Sequence, residues 1–377
     1  MTKYFIISII TINALLIFNC VNNKDILVEY HDLAGKHVKK IETNTDAADI
    51  VLNNKRYSIA PYSLIEVDRN SNISVLRGMI IQGSTKKNRE LFFDLMGDRV
   101  WGNCSLFYLS IPRKIDDMTG EVVINYTNED GVFTLKTSMN LIKDKGKTNV
   151  YGFYVPYFLY HTILKMDISV NVDENDSLYL SLRYAYKVDR RDWERQEVRF
   201  SNAKSAEIKS VDKDKNKKDR EKRGAIWSLN NPTPYFLSGF DYPIRDYQYL
   251  TSEFGMIREW ILNKKVYSKD IHLGIDLAYV KGEPVYSSAD GVVKYAENGE
   301  YVGNMVIIDH GFSLYSNYMH LDTIDVTPDQ FVAKGERIGT IGMTGAATGP
   351  HLHWEVRANG IPVDPTSLFF LNEFRNM

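Results

Sequence analysis

Cysteine is nearly absent: the 377 residues hold two, Cys20 and Cys104. A disulfide framework is therefore not expected to hold the fold together. A net charge of one sign is missing too, since 46 Lys and Arg face 48 Asp and Glu and leave a formal charge of -2. That balance supplies no electrostatic reason to expect nucleic acid as a partner. A membrane-length run is lacking at the start of the chain, where the apolar stretch Phe5 to Phe18 falls short of the roughly 20 residues a span needs. Aromatics, by contrast, are plentiful. The 24 Tyr and 17 Phe cluster in runs such as Leu106 to Tyr108 and Tyr151 to Tyr160, which favours strands over helices. The length exceeds what one core usually organises, so two folded domains are expected, and 44% apolar with 25% charged residues is ordinary globular composition.

Lys3 and the apolar stretch behind it read as an export signal over residues 1–20. Its end, Leu16-Ile-Phe-Asn-Cys20, resembles a bacterial lipoprotein signal, in which the Cys thiol is acylated and becomes the mature N-terminus. Phe18 and Asn19 depart from the small residues usual there. The resemblance implies an exported envelope protein, periplasmic or outer-membrane associated, with lipidated Cys20 as a membrane tether; Val21, in place of an Asp, points to the outer membrane. The other reading of the same residues is a plain cleaved signal or a short anchor, with Cys20 incidental. Cys104, amid Trp101 and Leu106, is expected to be a buried apolar thiol.

From 24 to 201 short β-branched and aromatic runs alternate with turn signals such as Asp116 to Gly120 and Asn128 to Gly131. Glu121 to Tyr126 and Ser177 to Leu182 alternate as half-buried strands do. The expected fold class is mainly β: here an antiparallel sandwich or barrel-like module with a short helix near Asn88 to Leu95, and further on a second, C-terminal antiparallel β-sheet domain. No catalytic constellation stands out in this module, and His31, His37 and His161 are expected at the surface or in packing. Residues 202–224 are strongly charged and lack aromatics, as a solvated, partly helical linker would. The second ordered region, 226–370, carries strand signals at Val285 to Ser287, Gly291 to Tyr295, Asn304 to Ile308, Tyr315 to His320, Arg337 to Ile341 and His353 to Arg357.

Five of the eight histidines lie in that second region, and their spacing is the strongest signal in the chain. In His272-Leu-Gly-Ile-Asp276, positions i and i+4 share a face of a strand or helix, with Leu273 and Ile275 turned to the core and Gly274 leaving room for an ion. In His351-Leu-His353, period-2 alternation puts both imidazoles on one side. Two such motifs face to face are what a three-ligand zinc site needs, with a fourth position for water. The bland alternative is a set of satisfied polar core residues.

The stretch Phe240 to Leu368 resembles the lysostaphin-type, LytM-like zinc peptidases of bacterial cell walls. The matching pieces include Ser252-Glu-Phe-Gly-Met-Ile-Arg258, the His272 to Asp276 box, Gly282-Glu-Pro-Val-Tyr286, Val306-Ile-Ile-Asp-His-Gly311, Tyr318-Met-His-Leu321 and Thr344-Gly-Ala-Ala-Thr-Gly-Pro-His-Leu-His-Trp-Glu-Val356. Residue by residue, the resemblance implies one Zn2+ per chain on His272, Asp276 and His353, His351 as general base and His320 as the second catalytic imidazole. His310 is expected to bond its turn, Gly345 and Gly349 to supply turns and close approach, and Asn304 either to contact substrate or to fill a turn. Departures from the pattern, Tyr315 to Tyr318 and the charged insert Glu259 to Asp270, are expected to line the groove rim.

The function this implies is a zinc endopeptidase hydrolysing the peptide cross-links of peptidoglycan, with the peptide stems as partner. A regulator that activates cell-wall amidases without catalysis is the alternative, and it would be marked by lost ligands. An adhesive or scaffolding surface protein is a third reading. The N-terminal module is expected either to occlude the groove or to position the enzyme.

Overall fold

The computed structural model describes residues 100–374 apart from 112–118, 129–130, 145–148, 158–162, 172–178, 188–190 and 246–248, and before residue 100 the strands between Ile17 and Met96. Cys20, His161 and all of the expected export signal except Ile17–Asn19 lie outside the described residues. The chain divides into two compact units, the first of residues 1–96, 106–153 and 160–189 and the second of 97–105, 154–159 and 190–377. The fold is mainly β, as the aromatic and β-branched runs imply.

The first unit is built on two eight-stranded sheets. Their described pairings are antiparallel except for a single parallel contact between Tyr184 and Val75. Thr119–Asn128 pairs on both edges, and along it Val122, Ile124 and Tyr126 are fully buried, so the period-2 pattern of Glu121 to Tyr126 marks a core face. The helix expected near Asn88 to Leu95 is instead the strand Glu90–Met96, with Phe93 opposite Leu109 and Leu95 opposite Phe107. Phe92 and Phe93 are strand formers, and cross-strand partners distant in sequence decide the outcome. His31 and His37 fall on the paired strands Ile26–Leu33 and Lys36–Thr43.

The second unit begins well before residue 226. Strand β1 (Arg195–Arg199) runs parallel to β3 (Ile257–Leu262), which forms a hairpin with β4 (Lys265–Ile271). Asn263 and Lys264 at the tip have φ of 50° and 63°, the pattern of a type I′ turn. The insert Glu259 to Asp270, expected as a rim loop, is therefore largely sheet. Between β1 and β3 lie α1 (Asn202–Lys209) and α2 (Lys213–Trp227). Ser201 caps α1 through its side chain to the Lys204 N–H, and Asp212 caps α2 by accepting from the N–H groups of Asp214 and Lys215.

The stretch expected as a solvated, partly helical linker is helical and largely exposed, but its apolar residues are packed. Ile208 is buried with Phe200 and Leu262, and Ile226 and Trp227 pack on the cluster of Tyr295, Met305, Ile307, Tyr315 and Met319. Asp219 accepts from the Tyr295 hydroxyl at 2.6 Å and pairs with Arg223 one turn on, while Lys222 pairs with Glu297. The charges that look like a soluble spacer are the partners of a strand far along the chain.

The main sheet of this unit contains, side by side, β2 (Tyr249–Ser252), β5 (Ile275–Ala278), β9 (His351–Ala358), β8 (Leu314–Leu321), β7 (Gly303–Asp309) and β6 (Gly291–Gly299), all antiparallel. The segment Tyr315 to Tyr318, expected at a groove rim, is in the middle of β8 and fully buried. Its polar members are satisfied inside: Asn317 accepts from Trp227 Nε1 at 3.0 Å, and the Tyr315 hydroxyl donates to the Leu229 carbonyl at 2.8 Å.

Candidate metal centre

Antiparallel register sets Asp276 of β5 directly opposite His353 of β9, and Ala278 opposite His351. Ser252 at the end of β2 stands on the other side of Asp276. His272 is not on that strand. It lies in the bend between β4 and β5, held by its N–H to the Met256 carbonyl and by the Gly255 N–H to its own carbonyl, both 2.8 Å. The i, i+4 pair thus converges through a loop rather than along a strand face. Gly274 has a different role from leaving room for an ion: a Cβ there would stand 2.5 Å from the Trp354 carbonyl oxygen and 2.9 Å from His353 Nε2.

Three donor atoms converge. His272 Nε2, Asp276 Oδ1 and His353 Nδ1 form a triangle with edges of 3.1, 2.9 and 2.8 Å. Tetrahedral coordination with N and O donors at about 2.0 Å needs ligand edges of about 3.3 Å, so a small divalent ion fits with a slight opening. The outward atoms of the same side chains are engaged elsewhere. His272 Nδ1 donates to the Glu253 carbonyl at 2.8 Å, Asp276 Oδ2 accepts from Arg258, and His353 Nε2 points at Glu355 Oε2, 3.8 Å away. The Glu253 carbonyl fixes the His272 tautomer with the Nε2 lone pair aimed inward, the arrangement a metal ligand needs, and Glu355 puts a carboxylate on the outward side of His353.

The electrostatics match. Burial pushes His272 down to about 4, against the pull of Asp276. Burial also acts to lower His353, but the Asp276 and Glu355 carboxylates on either side outweigh it and hold the imidazole up at about 9. Burial would raise the Asp276 carboxyl, yet the two imidazoles and Arg258 keep it well below the usual range. Two ring nitrogens 2.9 Å apart over one carboxylate call for a positive charge among them. A cation supplies it without a proton. Among the described residues, His272, Asp276 and His353 are the group able to hold a metal ion.

His351 and His320 stand beside this group. His351 Nε2 is 3.7 Å from Asp276 Oδ1, and the His320 and His351 rings are 4.9 Å apart. Nδ1 of His351 donates to the Gly349 carbonyl and Nδ1 of His320 to the Thr344 carbonyl, both at 2.8 Å. Each ring therefore keeps Nε2 as the acceptor. Burial, with His351 and His353 nearby, holds His320 well below the ordinary histidine range, so it is neutral. His320 has φ of 63°, a conformation non-glycine residues adopt at a cost and keep only where the surroundings enforce it. The enforcement is visible: its N–H donates to the Val302 carbonyl at 3.0 Å, and Thr344 Oγ1 donates to the Leu321 carbonyl at 2.8 Å.

Asn304 serves this scaffold, donating to the carbonyls of Leu321 and Asp322 at 3.1 and 3.0 Å. Gly345 is required by close approach, since a Cβ would meet Gly303 N and Tyr301 O at 2.4 Å, whereas Gly349 has open space. His310 is fully buried; its N–H closes the turn by donating to the Leu314 carbonyl at 2.8 Å, while its imidazole bonds the Asp290 carbonyl and Ser316 Oγ at 2.7 Å each. Arg258 and Glu355 received no role from the sequence, although both lie in quoted motifs. Glu355 was findable, two residues past a ligand on the same strand face.

Residues 270–365 match Peptidase family M23. Peptidoglycan DD-endopeptidase ShyA of Vibrio cholerae serotype O1 is 42% identical over 123 residues, 33% of this chain and 28% of that protein. ShyB of the same organism is 40% identical over 124 residues, covering 33% and 28%. DD-carboxypeptidase/endopeptidase Mpg of Neisseria meningitidis serogroup B is 39% identical over 130 residues, covering 34% and 29%. The chain thus spans less than a third of the length of these relatives. All five converging residues fall inside the matched span, and the C-terminal region of this chain is a peptidase family M23 domain.

Proposed function

We propose that the chain is a zinc-dependent endopeptidase that hydrolyses peptide cross-links of bacterial peptidoglycan. The observation that carries it is the inward triangle of His272, Asp276 and His353 with two imidazoles, His351 and His320, presenting Nε2 beside it. Zinc on those three donors would supply a polarised carbonyl and a water acidified toward neutrality. His351 Nε2 accepts the proton of the attacking water as the new C–O bond forms. The proton then passes to the leaving nitrogen as the C–N bond breaks, so the imidazole ends as it began. His320, neutral with its Nδ1–H held by the Thr344 carbonyl, offers Nε2 as a second acceptor that orients the attacking water toward the carbonyl carbon. The Gly349 and Thr344 carbonyls hold the two rings so that neither Nε2 turns away.

The names of the relatives, DD-endopeptidases, support direct D-alanyl to diamino-acid cross-links as the bond cut. The amidase-activating regulator is disfavoured because the donor triangle and both imidazoles are intact. We further propose export and a lipid tether at Cys20, which fatty-acid labelling of the wild type and a Cys20→Ser variant would test. For the activity, the full chain is incubated with isolated peptidoglycan, with and without chelator and beside His351→Ala. Loss of cross-linked dimers in the untreated wild-type sample alone supports the proposal; dimers unchanged in every sample refute it.

A further inference from the structure

Gln196 lies on β1, upstream of the span that matches the family, yet it is bonded to the outer partners of two of the three ligands. Parallel pairing puts Gln196 directly beside Arg258. Its amide oxygen accepts from Arg258 Nε at 3.2 Å and from Ser252 Oγ at 2.8 Å, and its Nε2 donates to the Thr251 carbonyl at 3.0 Å. These partners fix the amide orientation, because a guanidinium can only donate and a carbonyl can only accept.

The consequence reaches the metal centre along two arms. Ser252 has one hydroxyl hydrogen, and giving it to Gln196 leaves a lone pair facing His272 Nδ1 at 3.1 Å. A lone pair there is a second acceptor beside the Nδ1–H that the Glu253 carbonyl holds at 2.8 Å, and a hydroxyl hydrogen turned toward Nδ1 would instead oppose the tautomer that leaves Nε2 free for a metal. In the other arm, tying Arg258 Nε to Gln196 aims the terminal nitrogen at Asp276 Oδ2. Asp276 Oδ1 is thereby turned inward.

We propose that Gln196 is a positioning residue for the metal centre: one amide oxygen holds Ser252 and Arg258, which support the His272 tautomer fixed by the Glu253 carbonyl and set the rotamer of Asp276. The inference rests on the reading of His272, Asp276 and His353 as metal ligands. It also gives β1 a reason to belong to the peptidase unit, since the family-matched segment ends short of it.

The test uses the full chain and zinc alone. Gln196→Met keeps the side-chain length and removes both the acceptor and the donor; Arg199→Ala, on the same strand and exposed, is the control for damage to β1. Zinc affinity is read by competition with a chromogenic chelator, and thermal unfolding of the chelated proteins reports the fold. Removing outer partners of metal ligands costs about 10- to 100-fold in affinity, so Gln196→Met is expected to bind about tenfold more weakly, with Arg199→Ala unchanged. The Gln196→Met loss should also shrink in a Ser252→Ala background, because one arm is already cut. Should Gln196→Met fail to fold, Gln196→Asn, polar but one methylene short of both partners, takes its place with the same expectation. If wild type and Gln196→Met bind zinc within twofold of each other, the role of Gln196 is overturned and the metal site stands. If the wild type itself takes up no zinc, the site reading fails first and the inference with it.

Discussion

Replacing Gly274 by Ala tests the geometry of the centre most directly. The added methyl would lie 2.5 Å from the Trp354 carbonyl oxygen and 2.9 Å from His353 Nε2. An ordinary contact is about 3.4 Å or more, so β5 and β9 must separate locally by several tenths of an ångström. The two strands carry Asp276 and His353 opposite each other two residues beyond Gly274, and the 2.8 Å edge between their donor atoms opens with them. Overpacking of this kind costs about 1–3 kcal/mol, a fall in Tm of about 2–4 °C per kcal/mol for a unit of this size. The centre suffers more than the fold, because a misplacement near 1 Å costs about 100-fold in rate. We expect Gly274→Ala to stay folded, bind zinc at least tenfold more weakly and lose at least tenfold in muropeptide release. Gly349→Ala, whose methyl enters open space, should match the wild type. A Gly274→Ala protein with wild-type zinc affinity and melting temperature would refute the claim that close strand approach, and not space for an ion, requires glycine here.

Chelation should lower the melting temperature of the second unit and zinc should restore it, since a ligand held only by the folded state stabilises by about 2.7 kcal/mol at 100 times its Kd; calorimetry showing no shift would contradict a metal site. Acid should destabilise the protein through His310, whose burial pushes its pKa down to about 4 from 6.5. Between those values the unfolded chain binds the proton and the folded one does not, so stability is complete above about pH 6.5 and falls by about 3 kcal/mol as pH drops to 4. Urea titrations of wild type and His310→Gln should differ in slope across that window, and identical pH profiles would sink the assignment.

Much of this protein is legible along the chain because its information is local. Period-2 alternation marks the core face of Thr119–Asn128, and His-x-His places two imidazoles on one side of β9 whatever else the chain does. His272, Asp276 and His353 are recognisable for the same reason: each motif spans few residues, and its residue types suit a metal. Turn chemistry was less readable, since the hairpin of β3 and β4 closes through Asn263-Lys264 in place of the usual Asn-Gly.

What only tertiary structure decided is everything that depends on a distant partner. The charged stretch 202–224 looks like a solvated spacer until Tyr295 and Glu297 meet Asp219 and Lys222. Tyr315 to Tyr318 looks like a rim departure until β8 is seen at the centre of a sheet. Gly274 is explained by the backbone of β9, and Gln196 by Ser252 and Arg258. Composition and spacing record which side chains can bind a metal. Which neighbours orient them is set by contacts between segments far apart in sequence, and no local pattern encodes those.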